Sequence, residues 1–305
     1  MAERSGRLGD RVRELGLRVL YRIGWRVGPR VPRVVSRLII EGGSRYALRR
    51  DGWHVAQLRR NLSVAGGRPA DDELVRAGLA SYLRNFLEVL ALPGWTRERV
   101  LDRVRIENRA VLDAAVAGRG AVVALPHSGN WDLAGAWACL SGMPVSTVAE
   151  QLNGPEFAAF LAFRESLGMQ IVSHRDPAAI RILCDAVAAG RVVCLVADRD
   201  LVRSGVPVRW GSDGPLITMP AGPAMVARLT GAALIPCVAR FVGRDVGAGM
   251  IMTLGDPITH RPGRSGLTAM TAEVAEFFAR EIAEQPQDWH LLQPFFPEPS
   301  TGSTS

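Results

Sequence analysis

His127 and Asp132 stand five positions apart at a polar break, PHSGNWD, between the apolar runs AVVAL and LAGAWACL. Histidine can take and release a proton near neutral pH. A carboxylate that accepts its Nδ1–H fixes the tautomer and leaves Nε2 as a base. In one continuous helix the two residues would lie about 140° apart, at roughly 100° per residue, and could not easily meet. A strand ending near Pro126 and a helix starting near Asn130 remove the conflict, because a loop through Gly129 can fold His127 back toward the first helical turn. A helix cap at Asp132 and an uninvolved loop histidine would fit the same spacing.

A second break, VVCLVADRD, ends an apolar run on Asp198, Arg199 and Asp200. Either acid could support the histidine, and the arginine could bind phosphate or a developing oxyanion, although a surface ion-pair cluster would read the same way. Two further features flank these. Glu150 follows PVSTVA, and Arg164 sits late in GPEFAAFLAFRESLG beside Phe157, Phe160 and Phe163. Apolar surface next to an arginine suits an acyl chain next to a phosphorylated carrier, and a phenylalanine-rich core helix is the plainer alternative. G-x-S-x-G, the phosphate-binding P-loop and H-E-x-x-H are all missing. Direct attack by a substrate hydroxyl is then the economical mechanism, needing a base, an orienter and charge stabilisation.

These residues need a scaffold that gathers loop ends. Short apolar runs at about 121–126, 144–149, 169–173, 192–197, 232–239 and 249–254 read as strands. Helical patterns at about 132–140, 154–167, 177–189, 220–230 and 266–284 fall between most of them. The alternation predicts an α/β fold, a largely parallel central sheet flanked by helices, with ligands at the carboxyl ends of its strands. Upstream, DDELVRAGLASYLRNFLEVLALPG predicts a helix capped at Asp71 or Asp72 and stopped by Pro93 and Gly94.

The 305 residues, 48% of them hydrophobic, can bury a large core. The net charge of +7 is concentrated at the start, where residues 1–60 hold 15 arginines against five acids. There Leu8, Val12, Leu15, Val19, Ile23 and Val27 recur at helical spacing beside a stripe of arginines. That pattern predicts a helix on an anionic membrane surface, and the remainder of the chain, slightly acidic, offers nucleic acid no reading motif. A short helix through Val34, Val35, Leu38 and Ile39 and an arginine-rich stretch to about residue 70 follow. Residues 1–70 are thus expected to form a basic, membrane-associating helical region, 71–295 the α/β domain and 296–305 a disordered tail. No signal peptide or membrane-spanning run is expected, so the location is the cytoplasmic face of the membrane, peripherally held. Four cysteines without a C-x-x-C pair predict buried thiols and no metal site.

HSGNWD resembles the H-x-x-x-x-D motif of bacterial lysophospholipid-type acyltransferases, in the branch that contains the lipid A late acyltransferases. The resemblance runs through VAEQLNGPEF, FRESLGMQIVSHR, ADRD, MPAGPAMVARLTGAALIPCVARF and DWHLLQPFF, over roughly residues 70–295. Within that branch the chain is most similar to the phosphatidylinositol mannoside acyltransferases. The resemblance implies an acyl-CoA co-substrate, typically palmitoyl, no bound cofactor, and a mannose hydroxyl of a mannosylated phosphatidylinositol as acceptor. It makes His127 the general base, with Asp132 in the motif and Asp200 at the acidic position that pairs with the histidine. Arg164, Arg199, Arg203 and Arg228 fall to the donor phosphates or acceptor headgroup, and Glu150 to the acceptor pocket. Another glycolipid acceptor, an acyl carrier protein donor, or a non-catalytic lipid-binding role are the alternatives.

Overall fold

Runs of Val, Leu and Ala set the centre of the molecule. In the computed structural model, which describes residues 24, 27–149, 155–200 and 205–297, strand β2 (Ala121–Leu125) is buried along its whole length. Successive side chains of a strand point to opposite faces, so Val122 and Ala124 enter one core while Ala121, Val123 and Leu125 enter the other. A strand covered on both sides has no polar face to spare, which is why its sequence shows no alternation.

The remaining strands are β1 (Val104–Glu107), β3 (Val145–Ala149), β4 (Gln170–Ser173), β5 (Val192–Val196), β6 (Val206–Arg209), β7 (Leu216–Met219), β8 (Ala233–Phe241) and β9 (Met250–Leu254). Seven form one sheet in the order β1-β9-β8-β2-β5-β3-β4, and β6 and β7 make a separate antiparallel pair. β8, β2, β5, β3 and β4 run parallel; β9 lies antiparallel to β8 and parallel to β1. The expected α/β architecture is therefore present.

Helices cover both faces. α4 (Arg97–Asp102), α5 (Arg109–Ala117), α6 (Trp131–Leu140) and α7 (Pro155–Ser166), following α1 to α3 described below, pack on the face that carries Val123 and Leu125. α8 (Ala179–Ala188), α9 (Gly222–Thr230) and α10 (Gly263–Glu284) pack on the other. Each expected strand and helix of this region is found within a few residues of its expected bounds. The edge strand β1 and the β6–β7 pair were not expected, because four-residue strands with charged outward positions (VRIE, VPVR) carry little periodic signal.

Three helices precede the sheet. α1 (Arg33–Arg50) follows a short turn at Gly28–Arg30 and runs well past the expected Val34–Ile39 segment. α2 (Trp53–Ala65) occupies the stretch read as merely arginine-rich, its buried Val55, Leu58 and Leu62 hidden among polar neighbours. α3 (Asp72–Ala91) starts as expected, with the Asp71 carboxylate accepting the Leu74 N–H at 2.8 Å. Val55, Leu58, Leu62, Ala70, Val75 and Leu79 form one buried cluster, so residues 53–70 share a core with α3. Among the described residues no helix is long and apolar enough to cross a membrane. The expected amphipathic helix at residues 4–27 lies almost wholly outside the described residues, as does nearly all of the expected tail. Phe296, the first residue assigned to that tail, is buried against Trp210 and Trp289 beside the partly buried Phe295.

Candidate active site

The parallel register of β2 and β5 pairs Leu125 with Val196, and the Ala197 N–H extends the pairing by donating to the Leu125 carbonyl at 2.8 Å. Two residues beyond each strand end, the same offset sets His127 beside Asp198. The imidazole Nδ1 lies 2.6 Å from Asp198 Oδ1, and the backbone N–H of His127 donates to Oδ2 of the same carboxylate at 2.9 Å. Trp289 completes the arrangement, its indole N–H donating to Oδ2 at 2.9 Å. Asp198 is fully buried, whereas a quarter of the His127 side chain remains exposed.

Burial alone would raise the Asp198 carboxyl. The charge of the adjoining imidazole, the two His127 hydrogen bonds and the Trp289 N–H outweigh it and hold the group below its ordinary value. An ionised Asp198 accepts the Nδ1–H, so Nε2 carries the free lone pair on the accessible side of the ring. A residue that turns with its protein partner fixed and its other nitrogen free can act as a base toward a bound hydroxyl.

The loop is built to hold this pose. Gly129 adopts φ +59°, and a Cβ there would come within 2.9 Å of the Ala239 side chain, so the turn can lie flat against β8 only as glycine. Asn130 caps α6 through Oδ1, which accepts the Leu133 N–H at 2.9 Å. Its Nδ2 reaches Glu88 on α3, which is buried and bonded to Arg84 at 2.8 Å. On the opposite side, residues 288–290 run along the loop: Gly129 N–H donates to the Asp288 carbonyl at 3.0 Å and His290 N–H to the His127 carbonyl at 2.7 Å. Trp289 is stacked on Trp210 with ring centroids 5.2 Å apart, which fixes the indole that meets Asp198.

The carboxylate that meets the histidine is thus Asp198, one of the two acids offered by the ADRD break, and neither Asp132 nor Asp200, to which the resemblance pointed. Asp132, in the first turn of α6, forms an ion pair with Arg164 Nε of α7 at 2.5 Å, with both side chains largely buried. Asp200 accepts the Gly205 N–H at 2.7 Å and helps shape the entry to β6. Two residues separate Asp198 from Asp200, and only the inter-strand register decides which one faces the histidine. Arg199 lines the same cavity as His127 and Arg164. Arg228 does not: it lies on α9, across the sheet, and donates to the Gly263 carbonyl. Glu150 and Arg203 lie outside the described residues.

That cavity, of about 350 Å³, lies between α6 and the sheet. His127, Trp131, Asp132, Thr147, Arg164 and Arg199 are among its polar or amphipathic lining; Leu125, Gly135, Trp137, Met143, Met169 and Leu254 are among the apolar remainder. A largely apolar space with a base and two arginines in its walls suits a substrate with a long hydrocarbon tail and a charged head. Sequence reasoning missed the parts contributed by Trp289, Glu88 and Arg84. The signal available for Trp289 was the DWH triplet directly after a long helix, and nothing in the α3 sequence distinguishes a buried Arg84–Glu88 pair from a solvated one.

The class of protein follows from comparison as well. Residues 10–297 match the model of the bacterial lipid A biosynthesis acyltransferase family, and the chain belongs to that family. Its relatives include the phosphatidylinositol mannoside acyltransferase of Mycolicibacterium smegmatis (strain ATCC 700084 / mc(2)155), 42% identical over 95% of this chain and 94% of that protein. Two proteins of the same name from Mycobacterium tuberculosis, strains CDC 1551 / Oshkosh and ATCC 25618 / H37Rv, are each 41% identical over 90% of this chain and 86% of theirs.

Proposed function

We propose that this acyltransferase moves a long-chain acyl group, palmitoyl in the first instance, from acyl-CoA to a mannose hydroxyl of a phosphatidylinositol mannoside at the membrane surface. The observation that carries the reading is His127, paired with the buried Asp198, in the wall of a largely apolar cavity. The names of the three relatives supply the acceptor class.

Nε2 of His127 takes the proton of the mannose hydroxyl as its oxygen attacks the thioester carbonyl. The ester C–O bond forms, the C–S bond breaks, and the imidazolium returns its proton to the departing CoA thiolate. Asp198 holds the tautomer and offsets the transient positive charge on the ring. The acyl chain occupies the apolar cavity. Arg164, oriented by Asp132, and Arg199 serve the phosphates of the donor or the acceptor headgroup. No bound cofactor is required.

Membrane docking draws support from α1. Val34, Val35, Leu38, Ile39 and Tyr46 are exposed on it, and Arg33, Arg45, Arg49 and Arg50 stand along the same helix. Exposed aliphatics rimmed by arginine fit an anionic lipid surface and support the reading of a protein held peripherally on the cytoplasmic face. The test of the substrate pair is a panel: labelled palmitoyl-CoA or palmitoyl carrier protein as donor, and mannosylated inositol lipids or a lipid A precursor as acceptor. Transfer from the CoA ester to the mannosylated lipid is expected to be fastest. A preference for the carrier protein or for the lipid A precursor would replace the donor or the acceptor assignment.

A further inference from the structure

A second cavity, of about 260 Å³, opens where the turn at Gly28–Arg30 and the start of α1 meet the C-terminal end of α3. No residue lining it also lines the cavity at His127. Its floor is apolar, with Pro29, Leu87 and Ala91, while Arg33 and Arg99 bring guanidinium groups and Ser36 a hydroxyl to its wall. No carboxylate lines it among the described residues.

Among the described residues no acid forms an ion pair with the arginines there. Arg99 sets its guanidinium carbon over the Trp95 ring, 4.3 Å from the ring centroid. Its Nε is buried without a hydrogen-bond partner, and the same holds for Nε of neighbouring Arg103. Among the described residues, none of Arg33, Arg99 and Arg103 takes part in an ion pair. Glu88 is the acid that acts on Arg99, but its oxygens already accept from Arg84 Nε, the Gly247 N–H and Asn130 Nδ2. Arg99 loses proton affinity first to burial and then to repulsion by Arg33 and Arg103. A partly buried donor such as Arg99, with no acid paired to it and further cations beside it, is costly to the free protein and is stabilised by an anion that accepts from it.

We propose that this cavity binds a phosphate ester, with Arg33 and Arg99 donating to its oxygens and Trp95 holding the Arg99 fork in place. A guanidinium fork matches two phosphate oxygens at once, which a carboxylate-free cavity leaves available. The phosphate can belong to a phospholipid headgroup or to a soluble molecule. The exposed Val27, Val34 and Val35 beside the mouth favour the lipid.

The test uses the full chain with two probes: inorganic phosphate, followed by thermal shift, and phosphatidylcholine vesicles with or without phosphatidylglycerol, followed by flotation. Arg99→Gln and Arg33→Gln are compared with Arg264→Gln, an exposed arginine of α10 outside the cavity. Both cavity variants should lose about 10-fold in affinity for at least one probe, the effect of deleting one charge-assisted partner, while Arg264→Gln changes little. Loss confined to the vesicles assigns a lipid headgroup; loss confined to phosphate assigns a soluble ester. Wild-type binding by both cavity variants, or an equal loss in Arg264→Gln, overturns the proposal. Should Arg99→Gln fail to fold, Arg33→Gln decides alone, since Arg33 is exposed.

Discussion

At the scale of single residues, the chemistry rests on which carboxylate meets His127. Asp198 does so through two oxygens, one on the ring and one on the backbone N–H, with Trp289 steadying the second. Asp198→Asn would leave the shape intact and present the wrong group to Nδ1. Its kcat should fall by about 10²-fold or more, within the range that general acid–base catalysis supplies. Asp200→Asn should stay within about 10-fold of wild type, and Asp132→Asn should act mainly on the donor KM by releasing Arg164. Steady-state kinetics on the three variants distinguish them, and a larger loss for Asp200 than for Asp198 would reverse the assignment. The histidine itself was legible in the sequence, because a polar break between apolar runs marks a loop. Its partner was narrowed to three acids and no further. A one-step or two-step shift along ADRD changes nothing in local pattern, and only the pairing of β2 with β5, seventy residues away, resolves it.

At the scale of elements, α6 does two tasks: its first turn carries Asp132 and its inner face walls the cavity. Gly135 and Met169 both line it, and a Cβ at Gly135 would meet the Met169 side chain at 2.6 Å. Gly135→Leu should therefore shorten the space for a hydrocarbon tail. The expected result is a shift toward shorter acyl-CoA donors in a chain-length series, with a destabilisation of about 1–3 kcal/mol from overpacking. An unchanged chain-length profile in a folded variant would place the acyl chain elsewhere. The helix and its strands were readable because β2, β5 and β8 are continuous apolar runs and α6 follows a turn signal. α2 was not, since its core positions alternate with His, Gln and Arg, and β1 was not, since a four-residue edge strand lacks a period to read.

At the scale of the whole molecule, two consequences follow from what lies outside the reacting atoms. Leu38 projects from α1 into solvent, and burying a leucine in an apolar phase is worth about 1.5–3 kcal/mol. Leu38→Glu should accordingly weaken partition onto anionic vesicles by about 10-fold or more; equal partition would remove α1 from the docking face. The second consequence concerns acid. His290 is buried, and burial first, then His127 and Arg84, depress it to about 3. Ser81 Oγ donates to Asp288, so His290 Nε2 donates to Ser81 and its Nδ1 stays unprotonated. A histidine depressed in the folded state favours folding above its unfolded pKa of about 6.5, and that contribution is lost as pH falls from there toward 3. Melting temperature should fall more steeply between pH 7 and about 4.5 in wild type than in His290→Gln, and parallel curves would show that another group governs the acid limit. Neither feature is visible in the chain alone, because a polar residue's burial is a property of the packed molecule.

The claim on which the account turns is acyl transfer by His127. The direct measurement is the rate at which label passes from palmitoyl-CoA to a phosphatidylinositol mannoside, for wild type and for His127→Ala of equal melting temperature. The account predicts ester-linked label on the mannose with wild type and a rate lower by about 10²- to 10⁴-fold in the variant. Comparable rates from the two proteins, or no transfer by wild type, would contradict it.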